Sequence, residues 1–187
     1  SGGVRRSAMI SLSDLDDAEI RDAKKGAFYI NEPQRMLANN SAVYLSKPTT
    51  TDFLDEWIAL AKSGSGERGI FNRGDLKKQV PKRRWERWVG LAATLPTGSR
   101  SPRKDKVITR VGCNPCGEIF LLPKQLCNLT EIVAREGDSE SSLLRKTRVA
   151  AILGTYQSML TNFKYLSDRW RRNCNAERLL GVSITGQ

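Results

Sequence analysis

Ser41-Ala42-Val43-Tyr44-Leu45-Ser46-Lys47-Pro48, with the run TTTDFLDEWIALAKSG that follows at residues 49–64, decides the fold class. Ser41 to Leu45 has the length and apolar character of a buried strand and ends before Pro48, which cannot donate to a strand ladder. Thr51 or Asp52 suits a helix cap, and Phe53, Leu54, Trp57, Ile58, Leu60 and Ala61 then recur at helical spacing as an apolar face, up to Gly64. Strand followed by helix is half of a βαβ unit, and the flanks repeat the alternation. Upstream, Val4 to Leu12 reads as a strand. A polar stretch and a short helix through Ile20, Ala23 and Lys25 follow, stopped by Gly26. Phe28-Tyr29-Ile30 is expected to be extended, and Asn31 to Asn40 a polar loop. Downstream, a basic helix is expected over Lys77 to Ala93, interrupted near Pro81, with Trp85 and Trp88 on one side. Residues 99–106 (SRSPRKDK) read as a solvated loop. Val107-Ile108-Thr109, Ile119-Phe120-Leu121-Leu122 and Leu126 to Val133 read as strands. The longest helix starts at Asp138 to Ser142 and carries Leu144, Ala151, Ile152, Tyr156, Met159, Leu160 and Phe163 as a stripe expected to face a core. Leu179 to Thr185 is a last strand. The expected class is α/β with a largely parallel sheet. Because the chain opens on one strand and closes on another, it is expected to be an internal part of a larger domain.

Composition narrows the chemistry. Among 187 residues there are 31 Lys and Arg against 20 Asp and Glu, a net charge of +11, four Cys and no His. Without histidine, Ser-His-Asp and Cys-His catalysis and His-containing metal sites are excluded within the chain. Proton transfer must fall to carboxylates, thiols, Lys or Tyr. The positive charge favours polyanions, including phosphorylated small molecules. There is no apolar run long enough to span a bilayer and no apolar signal-peptide segment near Ser1, and four cysteines are too few for a disulfide scaffold. A cytoplasmic location is the expectation.

Three local patterns compete as sites. Gly64-Ser65-Gly66-Glu67-Arg68-Gly69 matches G-x-G-x-x-G but follows a helix, whereas the dinucleotide fingerprint follows a strand, so it is read as an accidental match. Lys77, Lys78, Lys82, Arg83, Arg84 and Arg87 with Trp85 and Trp88 could form a basic, base-stacking groove. The plainer reading is an amphipathic helix with its indoles packed inward. Cys113-Asn114-Pro115-Cys116 is a C-x-x-C. A zinc site lacks a second such pair, and a thioredoxin-type site would open a helix, whereas a strand is expected after Gly117.

The residues around Cys116 resemble something more specific. Asn114-Pro115-Cys116-Gly117-Glu118-Ile119 resembles the active-site loop of adenosylcobalamin-dependent ribonucleotide reductases, and Cys127 follows Cys116 at 127 − 116 = 11 residues, as the redox cysteine of that family does. Ser1 to Ala8 resembles a barrel strand of the family, and Gln34-Arg35-Met36-Leu37-Ala38-Asn39-Asn40-Ser41 its loop between effector and substrate sites. Gly69 to Arg73 and Gly181 to Gly186 agree. Several features resemble the monomeric triphosphate reductases. The resemblance implies a fragment of a ten-stranded α/β barrel in which residues 111–119 form a central finger loop. It implies Cys116 as the transient thiyl, Glu118 as a base toward the 3′-hydroxyl, Asn114 as a hydrogen-bonding partner of sugar hydroxyls or of Glu118, and Cys127 as one reductant thiol. Gln34, Arg35, Asn39, Asn40 and Ser41 would belong to the substrate/effector loop. Also implied are a ribonucleoside triphosphate substrate, a deoxynucleotide effector, adenosylcobalamin held mostly by other parts of the enzyme, and a thioredoxin-like reductant. No metal site, no membrane and no catalytic role for Cys113 or Cys174 are expected.

Members of that family are several times longer. The second reducing cysteine, the cobalamin region and the C-terminal redox pair would lie elsewhere, so the isolated chain is expected to be inactive. An extein between inteins, one product of a split gene or a trimmed portion would each account for such a segment. A nucleic-acid-binding module and a thiol oxidoreductase using Cys113 and Cys116 are the alternatives.

Overall fold

The computed structural model describes residues 9–64, 67–93 and 110–186. The strand expected at Val107 to Thr109, the 99–106 loop, residues 1–8 and the middle of the glycine run lie outside the described residues. The chain divides into two compact units, Ser1–Phe120 and Leu121–Gln187.

The first unit is built on three parallel strands in the order β1 (Met9–Ser13), β2 (Ala38–Tyr44), β3 (Gly69–Asn72). Register runs from Met9 opposite Ala38 to Ser13 opposite Ala42, and from Ser41 opposite Gly69 to Tyr44 opposite Asn72. As the middle strand, β2 is covered on both faces, which is why Ala42-Val43-Tyr44 is continuously apolar and buried. The connection from β1 to β2 runs through α1 (Ala18–Asp22), whose first turn is capped by the Asp17 carboxylate accepting from the Ile20 N–H at 3.0 Å. Gly26, at φ +62°, ends this segment.

Two expectations fail in the next stretch. Phe28 to Asn31 is a helical turn, α2, rather than an extended segment, closed by Ile30 N–H to Ala27 O and Glu32 N–H to Phe28 O. A 3₁₀ turn, Pro33–Leu37, and the start of β2 replace most of the expected polar loop. Bracketed by Gly26 and Pro33, the aromatic residues have no strand to pair with, and local hydrogen bonds win over their β propensity. Asn39 and Asn40 pair with Ile10 and Ser11 because the sheet satisfies their backbone.

Helix α3 (Thr50–Ser63) is capped by Thr49, two or three residues earlier than expected, and ends at Gly64 with φ +64°. Its apolar face does not point inward: Trp57 is 54% exposed and Phe53, Leu54 and Ile58 are also exposed. Glu56 is the buried residue, because Arg68, just before β3, is itself buried and donates to that carboxylate from Nε at 2.5 Å and from a terminal nitrogen at 3.0 Å. A buried guanidinium without a carboxylate is very costly, so the helix turns its acidic side to the sheet. Two helices follow β3, α4 (Leu76–Gln79) and α5 (Lys82–Ala93), separated at Pro81 as anticipated. Leu76, Val80, Trp85 and Trp88 form their buried side, with Trp88 fully inaccessible.

A short ladder, β4 (Gly112–Cys113) with β5 (Phe120–Leu121), spans the loop at 114–119, and the boundary between the units falls in β5. The run Ile119 to Leu122 is thus strand only at its centre.

In the second unit β6 (Asn128–Val133) and β7 (Leu180–Thr185) pair in parallel, Asn128 opposite Leu180 through Val133 opposite Thr185. The crossover contains α6 (Glu140–Met159), capped by Ser139, and α7 (Asp168–Glu177), which hydrophobic periodicity had not revealed. The expected stripe on α6 is reversed. Leu144, Ile152, Tyr156, Met159 and Leu160 are exposed, and Ala150, Gly154 and Ser158 are buried. Close approach to the sheet is the reason: a Cβ at Gly154 would meet Thr130 at 3.5 Å and Leu180 at 3.6 Å, and the Thr130 hydroxyl donates to Ala150 O at 3.1 Å. Among the described residues no sheet closes into a barrel, and no helix is long and apolar enough to cross a membrane.

Candidate active site

The loop after β4 holds its own shape. Val111 is fully buried and anchors its first strand. Asn114 then ties both ends: its N–H donates to Ile119 O, and its Oδ1 accepts from the Ile119 N–H, each at 3.2 Å. Inside that ring, Gly117 N–H donates to Asn114 O at 2.9 Å, and Gly117 sits at φ +81°, a conformation open to glycine. The far end is fixed by Phe120, whose ring meets Phe71 edge-on at 5.8 Å and whose carbonyl accepts from Arg84. Cys116, Gly117 and Glu118 are left exposed at the tip.

One residue of the 34–41 segment reaches this loop: the Asn39 side-chain amide donates to Pro115 O, next to Cys116. The others are engaged elsewhere. Gln34 donates to Glu32, Arg35 donates to Ala23 O at 2.8 Å, and Asn40 is buried with its N–H donating to Glu67 at 2.6 Å. Ser41 lies against Gly69, where an added Cβ would come within 2.8 Å of the Ser41 hydroxyl. Asn114 has a structural task that spacing alone did not reveal, since its carbonyl oxygen closes the loop.

Cys113 is half-buried in β4, and burial pushes its thiol up, with Glu118 adding to the rise and Arg73 opposing it. Cys113 stands in a strand rather than at a helix start, so it lacks the helix dipole that lowers the thiol of a thioredoxin-type site. Arg73 is the residue that sequence reasoning passed over. It follows β3, stacks over Phe71 at 5.6 Å, and burial lowers its pKa while Asp14 and Cys113 oppose that fall. Its only signal was its place at the end of the Gly69 to Arg73 run. The basic groove is also removed as a stacking surface, because Trp85 and Trp88 are buried, tilted at 58° to one another. Arg84 instead covers Trp88 at 4.7 Å from within the protein.

Cys127 belongs to the second unit, half-buried and immediately before β6. Its neighbour Asn128 is buried and bonded twice to Leu179 O, by backbone N–H and by side chain, each at 2.9 Å. Cys174 is buried in α7, and burial raises its thiol, as befits a packing residue.

Each unit contains a cavity. The first, of 390 Å³, opens at the ends of β2 and β3 beside Lys47, Phe53 and Lys78. The second, of 550 Å³, lies between β6 and α6. Both have the size of pockets for small ligands, and neither is lined by residues of the 114–119 loop.

Searches for relatives give one informative likeness. No protein-family profile matches the chain, and no solved structure matches it. The chain is 28% identical over 188 aligned positions to a protein named adenosylcobalamin-dependent ribonucleoside-triphosphate reductase from Lacticaseibacillus paracasei. That alignment takes in the whole of this chain and 22% of the relative. In sequence, the chain is therefore similar along its full length to about a fifth of a cobalamin-dependent ribonucleotide reductase.

Proposed function

We propose that this chain is part of the catalytic barrel of an adenosylcobalamin-dependent ribonucleoside-triphosphate reductase and carries its radical thiol, Cys116. The observation that carries the reading is the self-closed loop at 114–119, which presents Cys116 and Glu118 at an exposed tip and is braced at Pro115 by Asn39. The similarity to a reductase over the full chain supports it.

The cofactor supplies the unpaired electron; its contacts are assigned to parts of the enzyme beyond this chain. Once Cys116 is a thiyl, it takes the hydrogen from C3′ of the ribose, forming S–H and leaving a carbon radical. Glu118 accepts the 3′-hydroxyl proton while the 2′-hydroxyl leaves as water with a proton from a thiol. Cys127 gives one of the two reducing equivalents and a cysteine outside this chain the other: a thiol hydrogen goes to C2′, the remaining electron reduces the C3′ ketone as Glu118 returns its proton to the 3′-oxygen, and the two sulfurs are left as a disulfide. Cys116 then returns its hydrogen to C3′. Holding the sulfur still against the sugar is the protein's contribution, and the hydrogen-bonded loop supplies it. The positive charge of the chain would help attract a phosphorylated substrate such as a nucleoside triphosphate.

The test is deoxynucleotide formation by the complete reductase, measured by chromatography of the products. Cys116→Ser is expected to reduce product to background, and Cys113→Ser to leave turnover largely intact. Glu118→Gln is expected to lose roughly 10²–10⁴-fold, the range for a general acid–base group, with Glu118→Asp retaining more. Turnover that survives Cys116→Ser overturns the reading.

A further inference from the structure

Two backbone groups flanking Asn39, the carbonyl of Ala38 and the N–H of Asn40, are gripped by a buried ion pair that takes no part in the chemistry described above. Lys24 Nζ lies 2.7 Å from Glu67 Oε1, with only 7% and 19% of the two side chains accessible. The same ammonium donates to Ala38 O, and the other carboxylate oxygen of Glu67 accepts from the Asn40 N–H at 2.6 Å. Asn39 is therefore clamped from both sides, and it is Asn39 whose side chain reaches Pro115 O beside Cys116.

We infer that Lys24 and Glu67 are positioning residues: their ion pair sets Asn39 and, through it, the placement of the Cys116 thiol. The physical case rests on how the charges are used. A buried pair contributes little net stability compared with apolar side chains of similar volume, but it fixes geometry when every lone pair and proton is engaged. Here one oxygen of Glu67 holds Lys24 and the other accepts from the Asn40 N–H, while Lys24 also donates to Ala38 O, so the pair meets the backbone on either side of Asn39. Removing the charge of Glu67 leaves Lys24 buried without its counter-ion, so the ammonium must move toward water and release Ala38 O. Asn39 then loses the frame from which it meets the loop.

Only the consequence for turnover rests on the reductase reading; the coupling itself is read without catalysis. The experiment measures the alkylation rate of each thiol by iodoacetamide in the full chain, resolved by peptide mass spectrometry, with Cys127 as internal reference. Asn39→Ala and Glu67→Gln are each expected to change the Cys116 rate by about threefold or more in the same direction, with the double variant no further changed, since coupled sites are not additive. The Cys127 rate is expected to stay within about 1.5-fold, and Glu67→Asp to restore part of the Cys116 rate by keeping the charge. An unchanged Cys116 rate in either single variant, additive effects, or equal shifts at Cys116 and Cys127 overturn the inference. If circular dichroism shows that Glu67→Gln does not fold, Lys24→Gln, which removes the other charge of the pair, replaces it under the same criteria. A null result here leaves the turnover test of Cys116→Ser intact, and loss of turnover cannot mimic the thiol readout.

Discussion

The two units solve the same packing problem, a helix crossing between parallel strands, with opposite materials. In the first, α3 meets the sheet through charge: Glu56 accepts from Arg68, which also donates to the Ser13 hydroxyl at 2.9 Å and to carbonyls of Asp14 and Leu15. In the second, α6 meets β6 and β7 through Ala150, Gly154 and Ser158, residues small enough for backbone to approach backbone. A network of buried charge is rigid and intolerant, because each member depends on the others. A small-residue face is tolerant, because it asks only for volume. The loop at 114–119 belongs to the unit made of the intolerant material.

Substitutions can break that contrast. The largest effect is expected at Arg68→Leu, which strands Glu56 and should cost about 3–5 kcal/mol. Amide exchange should show β2 losing protection while β6 keeps its own; equal loss in both would remove the distinction between the units. A pair of glycines sharpens it. At Gly74, whose N–H donates to Tyr44 O, an added Cβ would lie 2.0 Å from Leu45 O, so Gly74→Ala should destabilise by about 3 kcal/mol, at the upper end for overpacking. At Gly154 the same methyl meets only ordinary contacts, so Gly154→Ala should stabilise by about 0.5–1 kcal/mol through helix propensity. Urea titration of the two variants gives both numbers.

The smallest effect is on pH. Asp138, before α6, is hydrogen-bonded by Lys146, the Ser142 hydroxyl and the Arg135 N–H, which hold its carboxyl at about 2 instead of 3.8. Since the folded value lies below the unfolded one, this contribution is present above the ordinary carboxylate range and is lost as pH falls through about 2. Exchange protection of β6 should decline over that window, and Asp138→Asn should flatten the decline. An unaltered slope in the variant would assign the decline to other carboxylates.

What was legible in the amino-acid order was what is local. The strands at Ser41 to Tyr44, Asn128 to Val133 and Leu180 to Thr185, the break at Pro81 and the inward indoles of α5 all follow from spacing of a few residues. The loop at 114–119 stood out by its resemblance to a known active-site loop rather than by spacing, and its two Asn114–Ile119 bonds, though they join residues only five apart, left no mark in the sequence pattern. The failures depend on partners far along the chain. Trp57 and Ile152 read as core because amphipathic reasoning sends the larger side chains inward; Arg68, twelve residues from Glu56, and Thr130, beneath Gly154, reverse that choice. The grip of Lys24 on Glu67 spans 43 residues and leaves no periodic trace. Phe28 to Asn31 failed because β propensity has no force where no neighbouring strand offers a ladder.

Asn114 clasping Ile119 has a consequence for timing. A turn that needed a bound sugar to order it would have to surrender conformational freedom again with each visiting molecule. This one is stilled once, when the chain folds, and any molecule that arrives finds the sulfur of Cys116 already at rest.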